Sequence, residues 1–262
     1  MVNKNIFAEQ LTIGINSFIE PSAIIRGING EAKKIVIGDN CYIGHNVQII
    51  IDDFELGDYS KIQHGTNIHG YNPCHIGHNV WIGQYSIIDS IGGVTIGNNC
   101  GIGSHSQLWS HIKYGDTLEG CRFLSEKQMK IGSDVWFVGH CIVSPIIAHD
   151  KSMAMVGSVV TKDMEFNTIY AGSPAKSISE KIGFQFNEVS LETKMEKITH
   201  YLNESLVNKG KIKFVTEKDD MVFDNDITYF NISDRTYTKK RNDEEIAFMK
   251  FLLPEKAKFI PV

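Results

Sequence analysis

Ten histidines and five cysteines are the side chains of this 262-residue chain best suited to chemistry near neutral pH. A neutral imidazole, with an ordinary pKa of about 6.5, can take a proton and give it back. His64, His69, His75 and His78 crowd one stretch and read mostly as surface residues. His105 lies in Ser104-His105-Ser106, and His111 in Trp109-Ser110-His111-Ile112-Lys113-Tyr114-Gly115-Asp116. The cysteines (Cys41, Cys74, Cys100, Cys121, Cys141) are odd in number and show no CxxC spacing. That argues against a disulfide framework and a cysteine zinc site, and fits a reducing cytoplasm.

Something must hold such residues in place, and composition limits what. Hydrophobic residues at 42% and charged residues at 22% describe a globular chain. The formal net charge of −5 gives no reason to expect a nucleic-acid surface. No apolar run approaches the ~18–20 residues of a membrane span. Met1 to Gln10 holds a lysine but no apolar segment of a secretion signal. Of 23 glycines, only Gly183 and Gly210 lie beyond residue 180. Residues 1–180 carry 12 basic and 17 acidic side chains, and residues 181–262 carry 14 of each. The composition therefore shifts near Ser177–Phe184, and two domains are expected, 1–180 and 181–262.

The first part repeats every six residues. Ile37-Gly38 leads to Ile43-Gly44 and Ile49; Leu56-Gly57 to Ile62 and Ile68; Ile76-Gly77 to Ile82-Gly83 and Ile88; Ile96-Gly97 to Ile102-Gly103 and Leu108. After a break come Ile131-Gly132, Phe137 and Val143, and then Ile147, Met153 and Val159. A period of six suits neither a helix nor a simple amphipathic strand. It suits a chain that turns a corner every six residues, so that three short strands make one triangular coil and coils stack by parallel pairing. The aliphatic residue should point inward, and the small residue beside it should accommodate the tight corner.

From about residue 13 to 180 the chain resembles the hexapeptide-repeat acyltransferases, which are left-handed parallel β-helices. Lys130-Ile131-Gly132-Ser133-Asp134-Val135-Trp136-Phe137 is similar to the family's I-G-x-x-V-W-I-G, with Val138 where the family usually has Gly. Gly157-Ser158-Val159-Val160-Thr161-Lys162-Asp163 is the second block, and Ala171-Gly172-Ser173-Pro174-Ala175-Lys176 resembles A-G-N-P-A-K. Between the first two, Pro145-Ile146-Ile147-Ala148-His149 departs from P-G-V-x-I-G, with no Gly and one residue fewer. The resemblance implies a homotrimer with active sites at subunit seams, acetyl-CoA as acyl donor, no metal, and a carbohydrate acceptor.

In the family an extruded loop begins near the catalytic histidine, and by that resemblance His111, at the break after Leu108, is the expected general base; His105 is the rival. A sugar hydroxyl is too weakly acidic to attack a thioester unaided, and neutral imidazole removes its proton as attack proceeds. The oxyanion that forms needs a fixed N–H donor, for which the backbone of Gly139 or a neighbour is suited. The resemblance also implies Trp136 as a wall beside the thioester, Thr161 and Lys162 along the pantetheine and phosphates, and Lys176 at a phosphate. At Gly139 and Gly157 the missing Cβ would let the ligand approach. Gln84 and Asp89 are acceptor-side candidates: Asp89 could bind sugar hydroxyls, orient an imidazole, or bond its own corner.

The second part predicts a small α+β lobe: a helix capped by Ser190 and running to about Asn208, strands over Lys211–Thr216, Asp226–Ile232 and Lys258–Val262, and a helix opened by Asn242 with Glu245 three residues on. Gly210 should end the first helix. Two other enzyme readings stay open: N-acetylation of a nucleotide-linked amino sugar, and a γ-type carbonic anhydrase, for which His64, His69, His105 and His111 give an approximate ligand spacing. A non-catalytic scaffold is a third.

Overall fold

In a computed structural model, which describes residues 5–223 and 226–262, the chain forms two compact units, Met1–Phe186 and Asn187–Val262. Met1–Lys4 of the N-terminal reading lie outside the described residues.

The first unit is a three-sided parallel β-helix. One sheet stacks Ala8–Ile13, Ala32–Ile37, Asp53–Leu56, Cys74–Ile76, Val94–Ile96, Met129–Ile131 and Ile147–Ala148. We call it side A. Side B runs from Phe18–Ile19 through Trp81–Ile82, Gly101–Ile102, Trp136–Phe137 and Met153–Ala154 to Ile169–Gly172. Side C includes Asn67–His69, Ile87–Asp89, Gln107–Leu108, Ile142–Val143 and Val159–Val160. Each turn of chain visits A, B and C once, and pairing is in register, as in Ile76↔Ile96, Ile82↔Ile102 and Ile88↔Leu108.

The inward residue of each hexad stacks on its equivalent one coil away. Ile43, Ile62, Ile82, Ile102 and Phe137 form one such column, each 0% exposed. Fully burying one such side chain stabilises the fold by about 1.5–3 kcal/mol. Side A sends two residues inward per strand, such as Phe54 with Leu56 and Val94 with Ile96. That explains why successive coil starts are 19 or 20 residues apart rather than three hexads.

Two sequence expectations need correction. In the last coil the buried residues are Ala148, Ala154 and Val160, not Ile147, Met153 and Val159. Ile131 pairs with Ala148, Phe137 with Ala154 and Val143 with Val160, a coil of 17 residues, so every inward position moves on by one. The coil glycines also have another role. Gly38, Gly57, Gly77 and Gly97 do not adopt positive φ; two residues later Asn40, Tyr59, Asn79 and Asn99 do. What requires glycine is close approach of the next coil: a Cβ at Gly57 would stand 2.5 Å from the Gly77 carbonyl carbon and 2.6 Å from the His78 nitrogen. Asparagine tolerates the left-handed corner itself.

At its C-terminal end side B finishes as an antiparallel hairpin, Ile169–Gly172 with Ala175–Ser177. The chain stays with this unit to Phe186, whose backbone N–H donates to Asn167 Oδ1 at 2.9 Å while its carbonyl accepts from Asn167 Nδ2 at 2.9 Å.

The second unit packs a four-stranded sheet with two helices. Ile212–Val215, Thr228–Asn231, Thr236–Tyr237 and Ile260–Pro261 are neighbours in that order. The helix Leu191–Glu204 is capped by Ser190 Oγ, which accepts from Thr193 N at 3.2 Å. It stops at Glu204 rather than near Asn208, and Lys209–Lys211 with Gly210 forms a separate 3-10 turn. Asp243–Leu252 is capped by Asn242 Oδ1, which accepts from Glu245 N at 2.8 Å. The Glu245 carboxylate, buried, reaches back past the cap to accept from the backbone N–H groups of Lys240 and Arg241. Around it Phe230, Tyr237 and Phe248 make an aromatic core.

Candidate active site

His111 opens a two-stranded hairpin, His111–Lys113 against Leu124–Glu126, which leaves the coil where side C turns to side A. Nothing in residues 114–123 continues the hexad pattern, so the chain is extruded there until Met129 resumes side A. The hairpin begins only three residues after Leu108, whose inward side chain pins the last strand. His111 is therefore set on a rigid rung and not on the loop tip.

Its Nδ1 lies 2.7 Å from Asp89 Oδ2. Asp89 is on side C one coil earlier and is 0% exposed. The same carboxylate oxygen accepts from Ser110 N at 2.9 Å and Ser110 Oγ at 3.0 Å. Ser110 is itself buried, and its Oγ accepts from Gly92 N at 2.8 Å. A carboxylate can only accept, so His111 carries its proton on Nδ1 and presents the Nε2 lone pair elsewhere. That is the arrangement of an oriented general base. The Trp109 ring stands edge-on to the imidazole, with centroids 6.3 Å apart.

Of the roles open to Asp89 from sequence, the geometry favours holding an imidazole. Direct binding of sugar hydroxyls is not compatible with its burial. Gln84 lies elsewhere, at the corner between sides B and C, where its carbonyl accepts from His105 N at 3.0 Å. His105 stands on that same corner, in the left-handed region with φ 59°. Its ring lies against Tyr85 and His140, at centroid distances of 5.4 and 4.9 Å, and His64 stands edge-on to Tyr85 at 5.1 Å. No carboxylate is bonded to it among the described residues. The two histidine candidates thus occupy different edges, and only His111 has an orienting partner.

The remaining sequence candidates divide among four places. Trp136 is 44% exposed on side B, its ring over Gly101, where a Cβ would stand 2.9 Å from Trp136 Cδ1. Gly139 and Gly157 stack at the corner between B and C, with Gly157 N donating to Gly139 O at 2.9 Å. Both have positive φ, 150° and 72°, and a Cβ on Gly157 would meet nothing within 4 Å. Gly139 N–H donates to no acceptor among the described residues. Thr161 and Lys162 are exposed on the corner that carries His111, two coils further along. Lys176 is exposed on the terminal hairpin, opposite Ala171. One chain brings Asp89 to His111, but it does not bring Trp136 or Gly139 to them.

His69, read from sequence as a surface residue or a zinc ligand, and Ser110, given no role there, are both neighbours of the base. His69 pairs in register with Asp89. The signal was present: 69, 89 and 109 are spaced by the 20-residue coil, so they share one column. The single group of three potential metal ligands among the described residues is Asp53, Glu55 and His75 on side A, where Lys34 already pairs with Glu55. The four histidines of the carbonic anhydrase reading form no three-histidine group among the described residues of one chain; His69 and His111 flank Asp89 instead.

No family model matches the chain. It is 33% identical over 153 residues to dTDP-4-amino-4,6-dideoxy-D-glucose acyltransferase from Escherichia coli, a match covering 55% of this chain and 73% of that protein. It is 31% identical over 141 residues to galactoside O-acetyltransferase from Escherichia coli strain K12, covering 47% and 66%. Among solved structures, the N-acyltransferase AntD from Bacillus cereus, in complex with dTDP and 3-hydroxybutyryl-CoA, is 14% identical with a TM-score of 0.47, covering 74% of this chain and 91% of its own. The chain belongs to the hexapeptide-repeat acyltransferases, the left-handed parallel β-helix enzymes.

Proposed function

We propose that this enzyme transfers an acetyl group from acetyl-CoA to a hydroxyl of a carbohydrate, a cell-surface polysaccharide or its precursor. The observation that carries this reading is the 2.7 Å pairing of His111 Nδ1 with buried Asp89. A hydroxyl acceptor needs a base, and this imidazole has its Nε2 free to serve. His111 takes the acceptor's proton as the new C–O bond forms, and Asp89 stabilises the imidazolium. A fixed N–H, that of Gly139, faces the charge that develops on the thioester oxygen. His111 then returns the proton to the departing CoA thiolate. No acyl-enzyme is required.

Gly139 and Trp136 lie on a different edge from His111, so we assign the complete site to the seam between copies in a homotrimer. There the neighbour's Trp136 flanks the thioester, with Gly157, Thr161 and Lys162 along the pantetheine and phosphates. Lys176 meets a phosphate as a point charge. Gln84 lies on the same corner as Gly139, which suits contact with acceptor or donor at that seam. The five free thiols suit a reducing cytoplasm, and among the described residues no helix is long and apolar enough to cross a membrane.

Similarity to the dTDP-4-amino-4,6-dideoxy-D-glucose acyltransferase favours one second reading, N-acylation of a nucleotide-linked amino sugar. An amine needs less help from a base, so the two differ in their dependence on His111. Calorimetric titration with CoA should give about one site per chain. With a carbohydrate acceptor, His111→Ala should lower kcat by ~10²–10⁴ while the oligomer persists. A His111→Ala enzyme of near wild-type rate on an amino-sugar nucleotide would select the second reading; an unchanged rate on a hydroxyl acceptor would remove His111 as base.

A further inference from the structure

Asp89 is unevenly satisfied. Oδ2 accepts three hydrogen bonds, from Ser110 N, Ser110 Oγ and His111 Nδ1. Oδ1 of the same fully buried carboxylate accepts none. A buried carboxylate oxygen left bare is costly. His69 Nε2 stands 3.6 Å from it. His69 sits beside Asp89 by strand register and has Ile50 on its other side. Its Nδ1 is 2.7 Å from Asn67 Oδ1, and Asn67 Nδ2 reaches Gln48 Oε1 at 3.5 Å.

The hydrogen bonds of His69 restrict its form. If Asn67 accepts at Nδ1 and the ring is neutral, a lone pair on Nε2 would face the Oδ1 lone pairs. A ring protonated on both nitrogens avoids that, and so does a neutral Nε2–H ring with the Asn67 amide turned to donate. In both, Nε2 carries a proton and stands 3.6 Å from Asp89 Oδ1, longer than a hydrogen bond but close enough for electrostatic attraction to the carboxylate. We propose that His69 is a positioning residue: its Nε2–H holds Oδ1, fixes the plane of the Asp89 carboxylate, and so keeps Oδ2 aimed at His111 Nδ1 and His111 in its Nδ1–H tautomer. The relay is Asn67, His69, Asp89, His111, and only the last touches substrate. The kinetic consequence rests on the acetyltransferase reading; the tautomer does not.

The test uses the full chain with ¹⁵N-labelled histidine, the His111 signals being assigned by their absence in His111→Gln. Wild type should show a single Nδ1–H tautomer at His111. His69→Ala should give averaged shifts of mixed tautomers, with kcat down three- to tenfold and KM for acetyl-CoA unchanged. His69→Gln, whose amide N–H can reach Oδ1, should restore both the tautomer and kcat. A pure Nδ1–H tautomer in His69→Ala overturns the proposal, as does a His69→Gln variant as impaired as His69→Ala. If no acceptor is turned over by any variant, the acetyltransferase reading fails while the nitrogen shifts still decide the role of His69.

Discussion

Replacing Asp89 separates its charge from its geometry. In Asp89→Asn the amide oxygen can occupy the Oδ2 position and accept from Ser110 N, Ser110 Oγ and His111 Nδ1, which now span 2.7–3.0 Å. The amide nitrogen then falls at Oδ1, where it faces the Nε2 lone pair of a neutral His69 that keeps its proton on Nδ1 toward Asn67 Oδ1, so no donor opposes a donor. Tautomer and packing survive; the charge opposite the developing imidazolium is lost. A hydrogen bond to a charged partner contributes about 1.5–3 kcal/mol and a neutral one about 0.5–1.5. The difference, about 1–1.5 kcal/mol, is close to tenfold in rate. Asp89→Ala also removes the acceptor, so the imidazole is free to turn and its tautomer is unspecified. Its kcat should fall further, toward the ~10²–10⁴ that a general base supplies in all. It should also lose about 1–3 kcal/mol of stability, because the buried Ser110 N–H loses its partner. The assay is thiol release from acetyl-CoA with a carbohydrate acceptor, beside thermal unfolding of each variant. Equal kcat in wild type and Asp89→Asn would refute electrostatic support of His111. Equal kcat in Asp89→Asn and Asp89→Ala would refute the division between charge and geometry.

Trp136→Ala should raise KM for acetyl-CoA several-fold with the oligomer intact; unchanged kinetics would make the exposed indole a packing residue alone. Cys41 and Cys74 are pushed up to about 12 by burial, and Cys100 and Cys141 are also buried, leaving Cys121 as the accessible thiol. A thiol reagent at pH 8 should therefore modify about one cysteine of five in the native protein and all five after denaturation; rapid labelling of several native thiols would contradict the closed core. In the second unit, burial raises the pKa of Glu245 above its ordinary 4.5 despite the N–H groups of Lys240 and Arg241. Such a shift favours the neutral acid in the folded state, so its stabilisation is full below about 4.5 and is lost as pH rises through the folded value. Glu245→Gln, neutral throughout, should gain stability relative to wild type between pH 4 and pH 7, measured by melting temperature; a difference independent of pH would refute the assigned cost.

The coil was legible because its rule is short: one aliphatic residue inward per corner, repeated in register. Ile82, Ile88, Ile96 and Ile102 all obey it. The rule failed where the coil length changed. Between Val143 and Ala148 the step is five residues; Ile147, Met153 and Val159 keep the spacing of six among themselves but begin four residues after Val143, one short of the inward register. Local hydrophobicity could not correct this, since two of the three buried places hold alanine and each outward neighbour is as large or larger. The role of glycine was misread for a related reason. A sequence shows which residue is small, not whether smallness serves φ or the approach of another strand, and here Asn and Tyr take the strained corners.

The candidate site shows the same division between column and contact. Period alone put Asp89 one coil before the break, but two residues out of simple step with His111. What joins them is the chain's departure from the coil after Ser110, which folds His111 back toward the column it has just left. Ser110 caps that departure by bonding both Gly92 and Asp89. The orienting pair therefore depends on an interruption of the repeat, not on the repeat itself. Within one chain a regular β-helix repeats every outward column many times, and so distinguishes none of them. The break after Leu108 is what makes one column different, and it is there that a buried carboxylate, two imidazoles and a serine meet.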